Sequence, residues 1–130
     1  MLFTESMLKA ADNAGPKTVK CIKGLKNYGN RKVMRLGDEI IVAVQKKKVQ
    51  FKKRKLDKKV FFALIISTAA KTKRLGGSFV KFSLNRSLLL NEEYRYLGTR
   101  VYGPICKEIR DTKVKELKYK RIISYSGYTV

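Results

Sequence analysis

The sequence contains no histidine and no tryptophan, and only two of its 130 residues are cysteine. The commonest general base and metal ligand of proteins is therefore missing. Cys21 and Cys106 lack the close spacing of zinc-binding cysteines. The stretch Gly76-Gly77-Ser78 has no Lys-Ser/Thr ending and precedes a predicted strand, so it does not match a phosphate-binding P-loop. These absences predict a protein that is not an enzyme and that holds no cofactor or metal.

A hydrolase built on Ser78 would need a general base that the sequence does not offer. The two cysteines each sit among apolar neighbours, which favours two buried free thiols over a disulfide. No secretory signal is visible, and Glu5 and Asp12 within the first dozen residues are unlike an acid-poor transit peptide. We therefore expect the protein to work where it is made.

Acidic residues are scarce, because ten Asp and Glu stand against 31 Lys and Arg, for a formal net charge of +21 at pH 7. Self-repulsion of this size destabilises a small compact protein at low salt. A polyanion is therefore the expected partner, with nucleic acid the favoured one. An anionic membrane is the other option, but no amphipathic basic helix stands out, so no membrane partner is predicted.

The apolar residues are grouped in short runs separated by turn signals, which is typical of an all-β protein. At this length several short strands favour a small barrel over a sandwich, in one domain spanning residues 1–130. Strands are predicted over residues 18–25, 39–45, 60–66, 78–82 and 87–90, and a further strand over 98–104 that enters a tight turn. Pro104 suits the first position of a short helix over 105–110, and a second short helix is predicted over 113–120.

The central feature is a predicted long hairpin from Val60 to Phe82. Residues 60–66 form a continuous apolar run that predicts a buried strand. The glycines at 76 and 77 supply the positive φ of a tight turn, and residues 78–82 return as the second strand. Lys71, Lys73 and Arg74 place cations at the outer end of this hairpin.

Residues 46–59 hold nine cations and one acid. Such a block is an exposed loop or extended hairpin on its own, and a solvated surface is the alternative to phosphate contact. Lysine acts as a point charge on phosphate rather than as a bidentate reader of bases, so we expect backbone contact. The candidate RNA-binding residues here are Lys46, Lys47, Lys48, Lys52, Lys53, Arg54 and Lys55.

Four arginines stand at turns or element ends, where a guanidinium can engage two phosphate oxygens. They are Arg74, Arg86, Arg100 and Arg110. An ion pair with one of the few acids is the alternative for each, and for Arg110 the neighbouring Asp111 is as good a partner as RNA.

The segment GGSFVKF loosely resembles the aromatic strand of RNA-recognition and cold-shock domains, whose rings stack on bases. Alternation predicts that Phe79 and Lys81 face outward while Val80 and Phe82 contribute to the core. A free single-stranded RNA-binding barrel of the cold-shock type, stacking through Phe79 and Phe82, is therefore the alternative function.

Several segments, in this order over nearly the whole chain, follow one family pattern: MLKAADNAG, VKCIK, GDEIIVAV, FFALIISTAAKTKRLGGSFVKFSLNRSLLLN, GTRVYGP, KEIR and RIIS. Together they resemble the family of large-subunit ribosomal protein number fourteen. The resemblance implies a closed five-stranded β-barrel with a projecting β-ribbon and short C-terminal helices. It implies no catalysis.

The same resemblance implies a structural constituent of the large ribosomal subunit that binds and stabilises large-subunit rRNA near the intersubunit face. The implied partners are large-subunit ribosomal proteins numbers three and nineteen, small-subunit rRNA across the interface, and a ribosome-silencing factor. On matching positions, Lys71, Lys73 and Arg74 would lie on the ribbon and Arg100 beside RNA.

The chain departs from the family pattern in three places: the basic run at 46–59, Gly76 at the hairpin turn, and a long stretch at 111–120. Lysine, tyrosine, phenylalanine and isoleucine are abundant, as an A/T-rich genome would give. With no presequence visible, this composition favours synthesis in a mitochondrion, and a bacterial cytoplasm is the alternative.

Overall fold

The computed structural model describes residues 2–13, 15–25, 33–47, 59–93, 96–98, 100–109 and 130. Five strands form a closed barrel in the order β1-β2-β3-β4-β7, and β5 and β6 form a separate two-stranded sheet. The strands are β1 (Met7–Ala10), β2 (Pro16–Gly24), β3 (Glu39–Lys47), β4 (Val60–Ser67), β5 (Thr72–Lys73), β6 (Phe79–Val80) and β7 (Arg86–Leu90), followed by a 3-10 helix at Lys107–Ile109. The predicted all-β class, closed barrel and ribbon are confirmed.

The barrel interior is filled by alternate residues of its strands, because successive side chains of a strand point to opposite faces. Val19 and Cys21 of β2 share this inner face, as predicted, and Ile40 and Val42 of β3 do the same. We call this buried cluster the interior core. Its members are Leu2, Leu8, Val19, Cys21, Met34, Ile40, Val42, Ala63, Ile65 and Leu89.

A second buried cluster lies on the outside of β4 and β7. Leu64 and Ile66 of β4 pack with Leu88 and Leu90 of β7, and residues 101–109 cover them. We call this cluster the outer core; its remaining buried members are Ala11, Val101, Ile105 and Ile109. Burial on both faces explains why residues 60–66 form a continuous apolar run rather than an alternating one.

The return arm of the central hairpin differs from the prediction. β4 pairs antiparallel with β7, not with residues 78–82, and β6 pairs only with the short β5. The hairpin is interrupted where side chains replace main-chain partners: Asn85 Oδ1 accepts from Ala69 N at 2.8 Å, and Ser67 Oγ donates to Leu84 O at 3.1 Å. The ribbon is therefore a separate two-stranded unit at the end of a long β4–β7 hairpin.

The C-terminal segment also differs from its prediction. Val101 forms only an isolated bridge, with Asp12, and the 3-10 helix begins at Lys107 rather than at Pro104. Ile105 instead makes an extended contact with Val130, whose N donates to Ile105 O at 2.8 Å and whose O accepts from Lys107 N at 3.1 Å. The second predicted helix, over residues 113–120, lies outside the described residues.

The barrel closes at a short parallel seam between β1 and β7, with Lys9 opposite Arg86 and Ala10 opposite Ser87. Just beyond it, Ala11 O accepts from Tyr102 N at 2.7 Å, so this oxygen is taken by the C-terminal segment. The Asp12 carboxylate accepts from Leu89 N instead, at 3.1 Å. Asp12 is fully buried. A residue that the sequence marks only as part of a turn therefore continues the seam with its side chain.

We expect Asp12→Ala to lower the free energy of unfolding by about 1–3 kcal/mol, because Leu89 N–H loses its acceptor in a buried site. Asp12→Asn keeps a carbonyl oxygen and should lose less. Urea unfolding measures both values.

Asp38→Ala is the matched control, since Asp38 Oδ2 accepts from Arg35 N at 2.7 Å in an exposed position and the charge change is the same. Water can replace that acceptor, so the loss should stay within about 0.5 kcal/mol. Equal losses at positions 12 and 38 would contradict the role given to Asp12.

Both cysteines are free and buried, which confirms the prediction of two buried thiols. Cys21 lies in the interior core, and burial raises the pKa of its thiol from 9.0 to about 11. The apolar surroundings disfavour the thiolate, so the folded protein keeps this proton at a pH where the unfolded chain releases it.

The stabilising effect of the neutral Cys21 thiol is fully present below about pH 9 and is lost as the pH rises from 9 towards 11. We therefore expect the free energy of unfolding of the wild-type protein to fall by about 2 kcal/mol more than that of Cys21→Ala over this interval. Denaturant unfolding at several pH values measures the difference. Parallel curves for the two proteins would contradict the raised pKa.

Candidate nucleic-acid interface

Of the predicted RNA-binding residues, the structure describes Lys46, Lys47, Lys71, Lys73, Arg74, Arg86 and Arg100. Lys48, Lys52, Lys53, Arg54, Lys55 and Arg110 lie outside the described residues. Their contribution to an interface stays a prediction.

The basic run at 46–59 begins and ends on the barrel. Its first two residues extend β3, where Lys46 pairs with Thr18 and Lys47 with Pro16 of β2. At its other end, Lys59 O accepts from Val44 N at 2.8 Å. Lys46 and Lys59 are both exposed. The run therefore leaves the barrel at the end of β3 and rejoins it at the start of the neighbouring β4, at the same end of the barrel.

The ribbon, defined here as residues 71–82, has two distinct faces. Its outer face carries four exposed residues, namely Lys71, Lys73, Phe79 and Lys81. Its inner face carries Thr72, Arg74, Val80 and Phe82, all of which are half-buried. The predicted alternation is confirmed, but Val80 and Phe82 belong to neither buried core.

Arg74 fixes the base of the ribbon turn. Its main chain pairs with Ser78 and Gly77, through Arg74 N to Ser78 O at 2.8 Å and Gly77 N to Arg74 O at 3.2 Å. Its guanidinium donates to Cys106 Sγ at 3.5 Å and to the main-chain oxygen of Val130. The inner face of the ribbon is thus tied to the C-terminal segment, and the outer face is left towards solvent.

Arg86 lies at the start of β7 and is engaged within the protein. Its guanidinium donates to Ser67 Oγ at 3.0 Å and to two main-chain oxygens, Tyr102 O and Pro104 O, each at 2.6 Å. The two-pronged geometry predicted for phosphate oxygens is here used on carbonyl oxygens. We call this contact the Arg86 clasp; it fastens residues 102–104 to the barrel.

Gly103 makes the Arg86 clasp possible. Its φ is +84°, and a Cβ at this position would lie 2.2 Å from Nη1 of Arg86. A side chain here would push the Arg86 guanidinium away from its hydrogen bonds, and the positive φ favours glycine. The sequence pattern predicts a tight turn at this glycine. It does not predict that the Arg86 guanidinium occupies the space where a side chain would otherwise lie.

We expect Gly103→Ala to be more destabilising than Gly77→Ala by about 1–3 kcal/mol, because only the first substitution drives a methyl group into a packed side chain. Gly77 has nearly the same φ, +85°, with nothing within 4 Å of its Cβ position. The pair therefore separates the clash from the backbone strain that both variants share. Thermal or urea unfolding measures it, and equal losses would count against the clasp.

Arg100 is exposed, and its main chain is held on both sides. Asn13 Oδ1 accepts from Arg100 N at 3.2 Å, and Tyr96 OH donates to Arg100 O at 3.3 Å. The backbone is thus positioned while the side chain reaches the surface. Among the candidates whose side chains the structure describes, Arg74 and Arg86 bind other parts of the protein, and Lys46, Lys71, Lys73 and Arg100 are exposed.

Other exposed cations of the described part of the chain were not among the predicted RNA-binding residues. They are Lys9, Lys17, Lys23, Arg35, Lys59, Lys81 and Lys107. Within the described ranges, no group of three or more His, Cys, Asp or Glu is placed to hold a metal. In that same part of the chain, no helix has the length and apolar character needed to cross a membrane.

The closed barrel, the ribbon and the exposed cations define a small basic β-barrel protein suited to a polyanionic partner. The family model described as Ribosomal protein L14p/L23e matches residues 1–130, which is the whole chain. The chain belongs to this family of structural proteins of the large ribosomal subunit. The resemblance stated from the motifs is therefore confirmed, and the family is not one of enzymes.

Proposed function

We propose that the protein binds and stabilises large-subunit rRNA near the face that meets the small subunit. The observation that carries the proposal is the division of the ribbon, whose outer face is basic and exposed while its inner face is fastened to the body. Lys71 and Lys73 on the ribbon, Lys46 at the edge of β3, and Arg100 are the described residues that contact phosphates. The run at 46–59 adds further cations.

The mechanism is electrostatic. Lysines neutralise phosphates and release condensed counterions, so the affinity for RNA falls steeply with salt. The RNA in turn relieves the self-repulsion of a chain with a net charge of +21. Because lysine does not read base edges bidentately, the protein positions folded RNA rather than selecting a sequence.

Salt dependence tests this proposal. We expect the double variant Lys71→Gln, Lys73→Gln to lower the slope of log affinity against log salt by about 1.5, because two phosphate contacts are lost. The probe is a transcript of the large-subunit rRNA from the same source. Lys17→Gln with Lys23→Gln is the control, since it removes the same charge from exposed positions of β2. Equal slopes for the two double variants would remove the ribbon from the interface.

The run at 46–59 is tested separately. The variant carrying Lys52→Gln, Lys53→Gln, Arg54→Gln and Lys55→Gln should lower the same slope by about 3 if all four residues contact phosphates. An unchanged slope would remove the run from the interface while leaving the ribbon in it.

The free cold-shock type of barrel is not favoured. The family match covers the whole chain, and Phe79 and Phe82 lie on opposite faces of the ribbon, so they cannot form one stacking platform. Co-sedimentation with large ribosomal subunits, against a free pool only, distinguishes the two functions.

We further propose contacts with large-subunit proteins numbers three and nineteen, with small-subunit rRNA and with a ribosome-silencing factor, all supported by the family membership alone. A mitochondrial ribosome is the proposed location, supported by the composition, with a bacterial one as the alternative. Crosslinking within isolated large subunits tests the partners. Recovery of the protein from mitochondrial ribosomes of its source supports the proposed location, and recovery from the ribosomes of a bacterium supports the alternative.

A further inference from the structure

Phe79 is an exposed aromatic residue in the middle of a basic surface. Its side chain is 58 % exposed, and Lys73 stands directly opposite it on the paired strand. Lys71 lies diagonally across, with Nζ 5.9 Å from the ring centroid, and Lys81 follows two residues along on the same face. One phenyl ring is therefore framed by three lysines.

The contact between Lys71 and the ring is too weak to explain why an aromatic side chain stands at this exposed position. A separation of 5.9 Å is at the outer limit of cation–π attraction, and an exposed pair of this kind contributes little to stability. The ring is not part of either core, and the half-buried inner face holds the ribbon against the body. Among the described residues, Phe79 therefore belongs to neither core, and its exposed ring can take a ligand.

The chemistry of the outer face specifies the ligand. An apolar protein surface placed on Phe79 would bury three ammonium groups unless it supplied matching carboxylates, which is costly. An unpaired nucleotide brings a flat ring for Phe79 and phosphates for the lysines in one unit. Base stacking on an aromatic side chain combined with a cationic track is the usual basis of single-strand binding.

We propose that the outer face of the ribbon binds an unpaired segment of RNA, with one base stacked on Phe79 and the neighbouring phosphates on Lys71, Lys73 and Lys81. This deepens the proposed function, since it rests on rRNA being the partner. It adds that the ribbon meets a single-stranded stretch rather than the backbone of a duplex.

The chain has no tryptophan, so Phe79→Trp introduces a single tryptophan at the stacking position, whose emission can be excited apart from that of the tyrosines. The probes are an oligoadenylate of about twelve nucleotides and inorganic polyphosphate of similar length, which carries the charge without the bases. We expect oligoadenylate to quench this tryptophan and polyphosphate to leave it bright when bound. Phe3→Trp is the matched control, because Phe3 is 55 % exposed and lies outside the ribbon; its fluorescence should respond to neither probe.

Affinity gives the second measurement. Phe79→Leu should weaken binding of oligoadenylate on the order of ten-fold with an unchanged salt slope, because a stacked ring is lost but no cation is. Phe79→Tyr should retain the affinity, and Phe3→Leu should not change it. Unfolding curves of each variant confirm that the fold is intact.

Equal quenching by polyphosphate and oligoadenylate, or an unchanged affinity in Phe79→Leu, would overturn the stacking site. The proposed function would still stand in that case if two results hold. The wild-type protein binds the rRNA transcript, and the Lys71→Gln, Lys73→Gln double variant lowers the salt slope of that binding. If the wild-type protein does not bind the transcript at all, both fail together.

Discussion

The barrel depends on how the short parallel seam between β1 and β7 is completed. The paired register of β1 and β7 covers two residue pairs. The next main-chain acceptor, Ala11 O, is hydrogen-bonded to Tyr102 N. The buried Asp12 carboxylate supplies the missing acceptor for Leu89 N. Asp12 therefore joins the end of β1 to β7 through its side chain, and the neighbouring Ala11 O joins β1 to the segment that covers the outer core. The buried carboxyl group of Asp12 is tolerated here because it is hydrogen-bonded.

The surface of the protein is strongly basic because acidic residues are few and some of them are buried. Among the described residues, the carboxyl groups of Asp12 and Glu39 are buried, so they are not available to neutralise the surface. Many of the described lysines stand exposed on the barrel and on the ribbon. The compact body thus presents its cations outward and needs anions from outside. Under the proposed function, large-subunit rRNA supplies these anions.

Much of the barrel was predictable, because β2, β3 and β4 carry period-two or continuous apolar patterns that depend on local sequence. The partner of β4 was not, since residues 78–82 and 86–90 are both suitable strands and only the tertiary arrangement decides between them. The Arg86 clasp was hidden for a similar reason. Its carbonyl partners, Tyr102 O and Pro104 O, are groups that every residue possesses, and no side-chain pattern marks them. The exposed lysines of the ribbon were found because they stand together beside a glycine turn.

The outer core has a consequence for the order in which the chain can mature during synthesis. β4 and β7 are complete at Leu90, but the residues that cover Leu64, Ile66, Leu88 and Leu90 come later, at 101–109. In a nascent chain that has emerged only to residue 90, these four apolar side chains would be exposed to water. Such a surface is prone to association with other chains. The topology therefore requires residues 101–109 to emerge before this surface can be covered.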